Sequence, residues 1–177
     1  PSVSLLARIA LLRRHMPEHP WPTFDDPELG DALAELCANK RSLDEVTRQP
    51  LAQAILSRLV YPLDRLLAEH APESIEVPTG NRVRIDYSGD APVLAVRLQE
   101  LFGWTDTPRI AGGRVRVRLH LLGPNYRPVQ VTDDLKNFWA TTYFQVRKDL
   151  RARYPKHSWP EDPLTAKPEA KGSRKRT

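Results

Sequence analysis

Apolar residues recur along this chain at two different periods, and the change from one to the other divides it. Up to about residue 70 the spacing is helical. Between Val3 and Arg14, the residues Leu5, Leu6, Ile9 and Leu12 fall on one side and predict an amphipathic helix. Pro17, Pro20 and Pro22 then force an extended connector. Asp26 before Pro27 has the chemistry of a helix start. A capping carboxylate precedes a residue that lacks an N–H where none is needed. Leu29, Leu33, Leu36 and Cys37 continue that helix on one face, and Ser42 with Glu45 has capping-box spacing. Pro50 opens another helix with Leu51, Ile55, Leu56 and Leu59 inward. Tyr61-Pro62 ends it, and Leu63, Leu66 and Leu67 form a further short one.

From Ala71-Pro72 onward the period falls to two. Ser74 to Val77 is a short strand, and Pro78 to Asn81 a turn. Along Arg82 to Tyr87, Val83, Ile85 and Tyr87 point one way while Arg82, Arg84 and Asp86 point the other. After a turn at Ser88-Gly89-Asp90, Val93 to Val96 reads as a buried strand. Gln99 to Phe102 starts a helical turn that Gly103 ends. Gly112-Gly113 is a loop. Arg114 to Leu122 is the clearest strand, with Val115, Val117, Leu119 and Leu121 inward and Arg114, Arg116, Arg118 and His120 outward. Thr132 caps a long helix, with Asp133 and Asp134 at its positive end. Its apolar stripe is Leu135, Phe138, Trp139, Thr142, Tyr143, Val146 and Leu150, and Pro155 stops it. The fold class is therefore α+β. An N-terminal bundle of short helices (1–70) precedes a small, mostly antiparallel sheet packed by a long C-terminal amphipathic helix (71–163). The Pro/Lys-rich residues 164–177 are expected to be a disordered basic tail.

Composition adds a limit and an asymmetry. A length of 177 residues with 40% hydrophobic content suits one domain, or two small ones sharing a core. No run of about 18 apolar residues offers a membrane span. Arg8, Arg13 and Arg14 interrupt the opening apolar stretch, so it is not a secretion signal. A first residue of Pro rather than Met is expected of a piece of a longer protein. Cys37 is the single cysteine, which excludes an internal disulfide and fits a cytoplasmic location. The net charge of +5 is unevenly spread. Residues 1–108 carry 11 Lys/Arg against 16 Asp/Glu, a net −5, and residues 109–177 carry 16 against 6, a net +10. A polyanion would meet the second part.

Catalytic chemistry is missing. No glycine-rich phosphate loop ending in Lys-Ser/Thr is present, and no DEAH-like acidic box to hold magnesium. His15 and His19 are four apart, but Pro17 breaks the helix that would align them, and no third ligand follows. No metal site is expected. Asp25, Asp26 and Glu28 read as helix-start charges, and there is no nucleophile elbow.

What remains is cationic. Arg114, Arg116, Arg118 and His120 on one strand face would span about 20 Å, enough for several phosphates. Arg82 and Arg84 would widen that surface if the two strands are neighbours, and Tyr126 with Arg127 could add a stacking platform. The plainer alternative is that these arginines pair with Glu76, Asp86 or Asp90. Arg147, Lys148, Arg151, Arg153, Lys156 and His157 gather at the last helix end, where compensation of the helix dipole already explains several of them. Phe138, Trp139 and Tyr143 share a stripe with Leu135, Val146 and Leu150 and read as core, not as base-stacking rings. Trp21, Trp104 and Trp159 lie in connectors that could dock loops on the body or on a partner. The tail cations Lys171, Arg174, Lys175 and Arg176 are generic polybasic electrostatics.

The segments VPTGNRVRIDY, VLAVRLQELFG, GRVRVRLHLLGPNYRPVQVTDDL and FWATTYFQVRKDLRARYPKHSWPEDP together cover most of residues 72–163. They closely resemble the C-terminal region of HrpB-type DEAH-box ATP-dependent helicases. The helical first part matches more loosely. The resemblance implies an accessory region with no catalytic residue and no cofactor of its own. ATP and magnesium would belong to helicase core domains of the same polypeptide, and nucleic acid, RNA ahead of DNA, would be the ligand. The alternative is a protein-interaction module that docks a partner or the helicase core.

Overall fold

A computed structural model describes residues 2–23, 27, 30–31, 34 and 51–170. The chain divides into two compact units. One comprises Pro1–Pro72 with Ile110–Val115, the other Glu73–Arg109 with Arg116–Thr177. Among the described residues no helix is long and apolar enough to cross a membrane.

In the first unit, helix α1 (Ser2–His15) packs against α2 (Leu51–Ser57) and α3 (Leu63–His70). Leu5, Ile9, Leu12, Ile55, Leu59, Leu63 and Leu67 form its core. Leu56 is the exception to the expected stripe and is exposed. It follows Ile55 by one residue, about 100° around the helix, and falls on the side away from the core. Arg8 is buried within the unit, and its Nε donates to the Ala71 carbonyl at 2.6 Å. The connector after α1 is fixed by Trp21, whose indole N–H reaches the Met16 carbonyl at 3.0 Å. The segment 110–115 closes onto this unit through Ala111 N–H, which donates to the His70 carbonyl at 2.7 Å. It turns at Gly112 and Gly113, both at positive φ, which glycine adopts without penalty. The helix expected from Asp26, its face of Leu29, Leu33, Leu36 and Cys37, and the Ser42–Glu45 box lie outside the described residues.

The second unit is built on a five-stranded sheet of β1 (Ser74–Glu76), β2 (Arg82–Asp86), β3 (Val93–Arg97), β6 (Arg118–Leu122) and β7 (Pro128–Thr132), in that spatial order. All neighbours are antiparallel except β3 and β6. The crossover joining that parallel pair contains a 3-10 turn (Leu98–Leu101) and a two-stranded ribbon of β4 (Arg109–Ile110) and β5 (Val115–Arg116). Two expectations change here. Arg114 to Leu122 is not one strand. Its alternation persists, with Val117, Leu119 and Leu121 buried, but the pairing partner switches at Val117, whose N–H donates to the Pro108 carbonyl. Side-chain alternation records which way residues point and not which strand they bond. Strand β7 was not anticipated. It is an edge strand that begins on Pro128, with Val131 exposed, so its apolar signal is weak.

The long helix is two helices, α4 (Leu135–Ala140) and α5 (Tyr143–Arg153). Asp134 rather than Thr132 is the cap, its carboxylate accepting from Asn137 N–H at 3.0 Å. Thr132 acts two residues before it, its hydroxyl accepting from Asp134 N–H. At the break, the Thr141 hydroxyl donates to the Asn137 carbonyl at 2.8 Å, which that residue's own N–H also uses. Such back-bonding by a hydroxyl bends a helix. Phe138, Trp139, Tyr143 and Phe102 form one aromatic cluster with neighbouring centroids 5.0–6.5 Å apart. The cluster is fastened to the crossover by Trp139 Nε1, which donates to the Trp104 carbonyl, and by Thr107, whose hydroxyl donates to Asp133 O and accepts from Leu135 N–H.

The chain after α5 is also held, beyond the point where disorder was expected. Gly103 N–H donates to Pro163 O, and Glu169 N–H donates to Gln99 O, both at 2.9 Å. Arg97 Nη2 donates to Glu169 O, also at 2.9 Å. Polar composition removed the burial incentive, yet these backbone groups find fixed partners along the 3-10 turn. Residues 171–177 lie outside the described residues.

Candidate nucleic-acid interface

Strand register sorts the side chains of the sheet into two faces. Ile85, Leu94 and Leu119 are aligned across β2, β3 and β6, and all are buried. The opposite face carries the charge. Asp86, Val93 and Arg118 form one aligned row. Continuing the same register places Arg84 beside Ala95, itself paired with His120, and places Arg82 beside Arg97, itself paired with Leu122. Arg82, Arg84 and Arg118 are exposed and His120 is half-buried. The condition set by the sequence, that the Arg82 and Arg118 strands are neighbours, is not met, because β3 lies between them; register alone puts both residues on one face.

Pairing decides which of these charges a ligand could use. Arg84 lies 3.8 Å from Glu73, and both side chains are largely in water, where such a pair is worth little. Among the described residues Arg82, Arg116 and Arg118 have no ion pair. Asp86 does not take an arginine. Its carboxylate accepts from Ser88 N–H at 2.9 Å, and hydrogen bonds from Ser88 hold it below the usual carboxylate range, with His120 adding a smaller effect.

Arg114 leaves the set. Its guanidinium donates to the His15 carbonyl at 2.6 Å and pairs with Glu18 at 2.7 Å, inside the helical unit. That contact holds the Glu18 carboxyl down at about 2. The expected line of four cations on one strand is therefore absent. Arg116 is exposed on β5, and only Arg118 and His120 lie on β6.

The face ends in a groove of about 420 Å³ walled by Arg82, Arg84, Leu122 and Tyr126. Its base contains a residue that the sequence reading passed over. Arg97 is buried, with Nε 3.1 Å from Glu100 Oε1. The other Glu100 oxygen accepts from Asn81 at 2.7 Å and from the Thr79 hydroxyl at 3.3 Å. The Arg97 guanidinium lies 5.8 Å from the centre of the Tyr126 ring. The available signal was the Arg97–Glu100 spacing of three residues on a helical turn. Arg127 is exposed on the same β6–β7 turn.

The second cationic cluster is less uniform than expected. Arg147 turns inward, Nε donating to Trp159 O at 2.9 Å and Nη2 lying 3.5 Å from Glu161. Arg147 and Arg151 line two shallow depressions of about 430 and 450 Å³, with Lys148 in one and His157 in the other. Arg153 and Lys156 are exposed and line neither.

Other candidates resolve into the fold. Phe138, Trp139 and Tyr143 are buried core, as their stripe implied. Trp21 and Trp159 are buried, and the Trp159 indole donates to the Tyr154 carbonyl. His19 rests edge-on against Trp21. Among the described residues no three His, Cys, Asp or Glu side chains gather as a metal site.

Comparison with known proteins gives this arrangement a context. The model of the family described as the HrpB ATP-dependent helicase C-terminal region matches residues 32–163. The chain is 39% identical, over 169 residues, to the ATP-dependent RNA helicase HrpB of Escherichia coli (strain K12). That alignment covers 93% of this chain and 21% of the relative. The crystal structure of the E. coli DExH-box NTPase HrpB superposes with a TM-score of 0.86 at 39% identity, covering 93% of this chain and 21% of that one. The crystal structure of the E. coli DEAH/RHA helicase HrpB gives 0.71 at 38% identity, covering 88% and 20%. The chain thus spans about a fifth of the length of these relatives.

Proposed function

This chain belongs to the family of HrpB-type ATP-dependent helicase C-terminal regions, and from that premise we propose that it is a non-catalytic accessory region that binds the nucleic-acid backbone beside a helicase core. The core, with its ATP and magnesium, would lie elsewhere in the same polypeptide, and the location would be the cytoplasm. RNA is preferred to DNA as ligand because the similar E. coli protein is described as an RNA helicase.

The observation that carries this reading is the outer face of the sheet, where Arg82 and Arg118 stand exposed with no ion pair among the described residues, with Arg84 and His120 between them. Flexible guanidinium groups on a flat face neutralise phosphates and release counterions. Contacts made by guanidinium groups to phosphates would follow backbone and not sequence. For the competing reading, a docking module built on connector tryptophans, Trp21 and Trp159 are engaged within the fold, and Trp104 alone of the three stays half-buried.

Binding of single-stranded RNA across a salt series tests the assignment. Replacing Arg82, Arg84 and Arg118 together by Glu is expected to lower affinity at least about tenfold and to reduce the salt slope by about two to three. Arg65→Glu, at an exposed position of helix α3, is the matched control and should change little. Undiminished affinity in the triple variant removes this face from consideration.

A further inference from the structure

We propose that the groove at the Arg82 end of the face is a stacking subsite for one unpaired nucleotide, with Tyr126 as the base platform and Arg82 and Arg84 as the phosphate contacts. This rests on the reading just given and adds a selectivity to it: the face takes single strands in preference to duplex.

The argument begins with the turn. Tyr126 sits at φ +63°, a left-handed conformation that glycine or asparagine would adopt with less strain. Turn geometry therefore does not ask for an aromatic residue here, yet a ring is presented with 47% of the residue exposed. Arg97 lies over the ring, its guanidinium 5.8 Å from the ring centre. Its guanidinium is fixed by Glu100 and by the Glu169 carbonyl, and Glu100 is itself held by Asn81 and Thr79. Glu100 also balances the Arg97 charge, so Arg97 backs the tyrosine as a plate and is a positioning residue rather than a phosphate contact.

The phosphate contacts come from the wall. Arg82 and Arg84 are two residues apart on β2, about 7 Å at a strand's rise, so each reaches a different phosphate. A volume of about 420 Å³ lies in the range of small-ligand sites. In a duplex the base faces are stacked and paired, so only an unpaired base can lie on Tyr126.

The test uses the full chain and three probes: a labelled oligouridylate, an abasic ribose-phosphate chain of the same length, and an RNA duplex. Tyr126→Leu is expected to weaken the oligouridylate about tenfold while leaving the abasic chain, the duplex and the salt slope unchanged. Tyr126→Phe should retain full binding, with the same thermal midpoint as Tyr126→Leu. Arg82→Glu should weaken all three probes and lower the slope by about one. Equal loss on every probe, or no loss, in Tyr126→Leu overturns the stacking subsite. The wider reading survives that result provided Arg82→Glu still weakens binding, and falls with it when Arg82→Glu is also silent.

Discussion

Tyr143 is a phenol without access to water, and its surroundings set how it responds to base. It is fully buried, with its hydroxyl donating to Pro160 O at 2.8 Å. Burial pushes its pKa up to about 12, with a smaller opposing effect from Arg147. In the unfolded chain the group titrates near 10. The folded state thus binds the proton more tightly. The resulting stability is complete below about pH 10 and is lost as pH rises through about 12. Urea midpoints measured from pH 9 to 12 should fall steeply in the native chain and less steeply in Tyr143→Phe. At this scale the sequence was uneven. The spacing of Phe138, Trp139 and Tyr143 declared them core. Arg97 and Arg114 look like outward strand residues, and their true settings depend on partners far along the chain. The Glu169 carbonyl lies 72 residues from Arg97, and Glu18 lies 96 residues from Arg114. Local pattern contains no term for such contacts.

Among the elements, the divided helix shows where pattern and hydrogen bonding part. An apolar stripe runs unbroken from Leu135 to Leu150 because α4 and α5 bury the same side, so periodicity alone reads one helix. Only the Thr141 hydroxyl, competing for a backbone acceptor, marks the joint. The same holds for the strand that changes partner at Val117 and for β7, whose weak alternation hides an edge. A six-residue helix such as α4 has few internal bonds, so its cap matters. Asp134→Ala removes the acceptor for Asn137 N–H and is expected to cost about 1 kcal/mol, read as a lowered urea midpoint. An unchanged midpoint would mean that water replaces the cap.

For the molecule as a whole, the charge split at about residue 108 sets the excess of cations in the second part, but strand pairing decides which arginines share a surface. Arg82 and Arg84 come from the acidic half of the sequence, yet register sets them on one face with Arg118. The segment 164–170 is likewise structural. Ending the chain after Pro163 removes the hydrogen bonds from Arg97 to the Glu169 carbonyl and from Glu169 N–H to the Gln99 carbonyl, at an expected cost of about 1–3 kcal/mol by urea denaturation. A truncated chain as stable as the native one would show the segment to be ornamental. One last consequence concerns the order of synthesis. The helices of the first unit end before Pro72, but Ala111 and Arg114, which bond to His70 and Glu18, are translated about 40 residues later. On the ribosome that unit must wait, incompletely closed, while β1, β2 and β3 emerge, so the two halves mature together rather than one after the other.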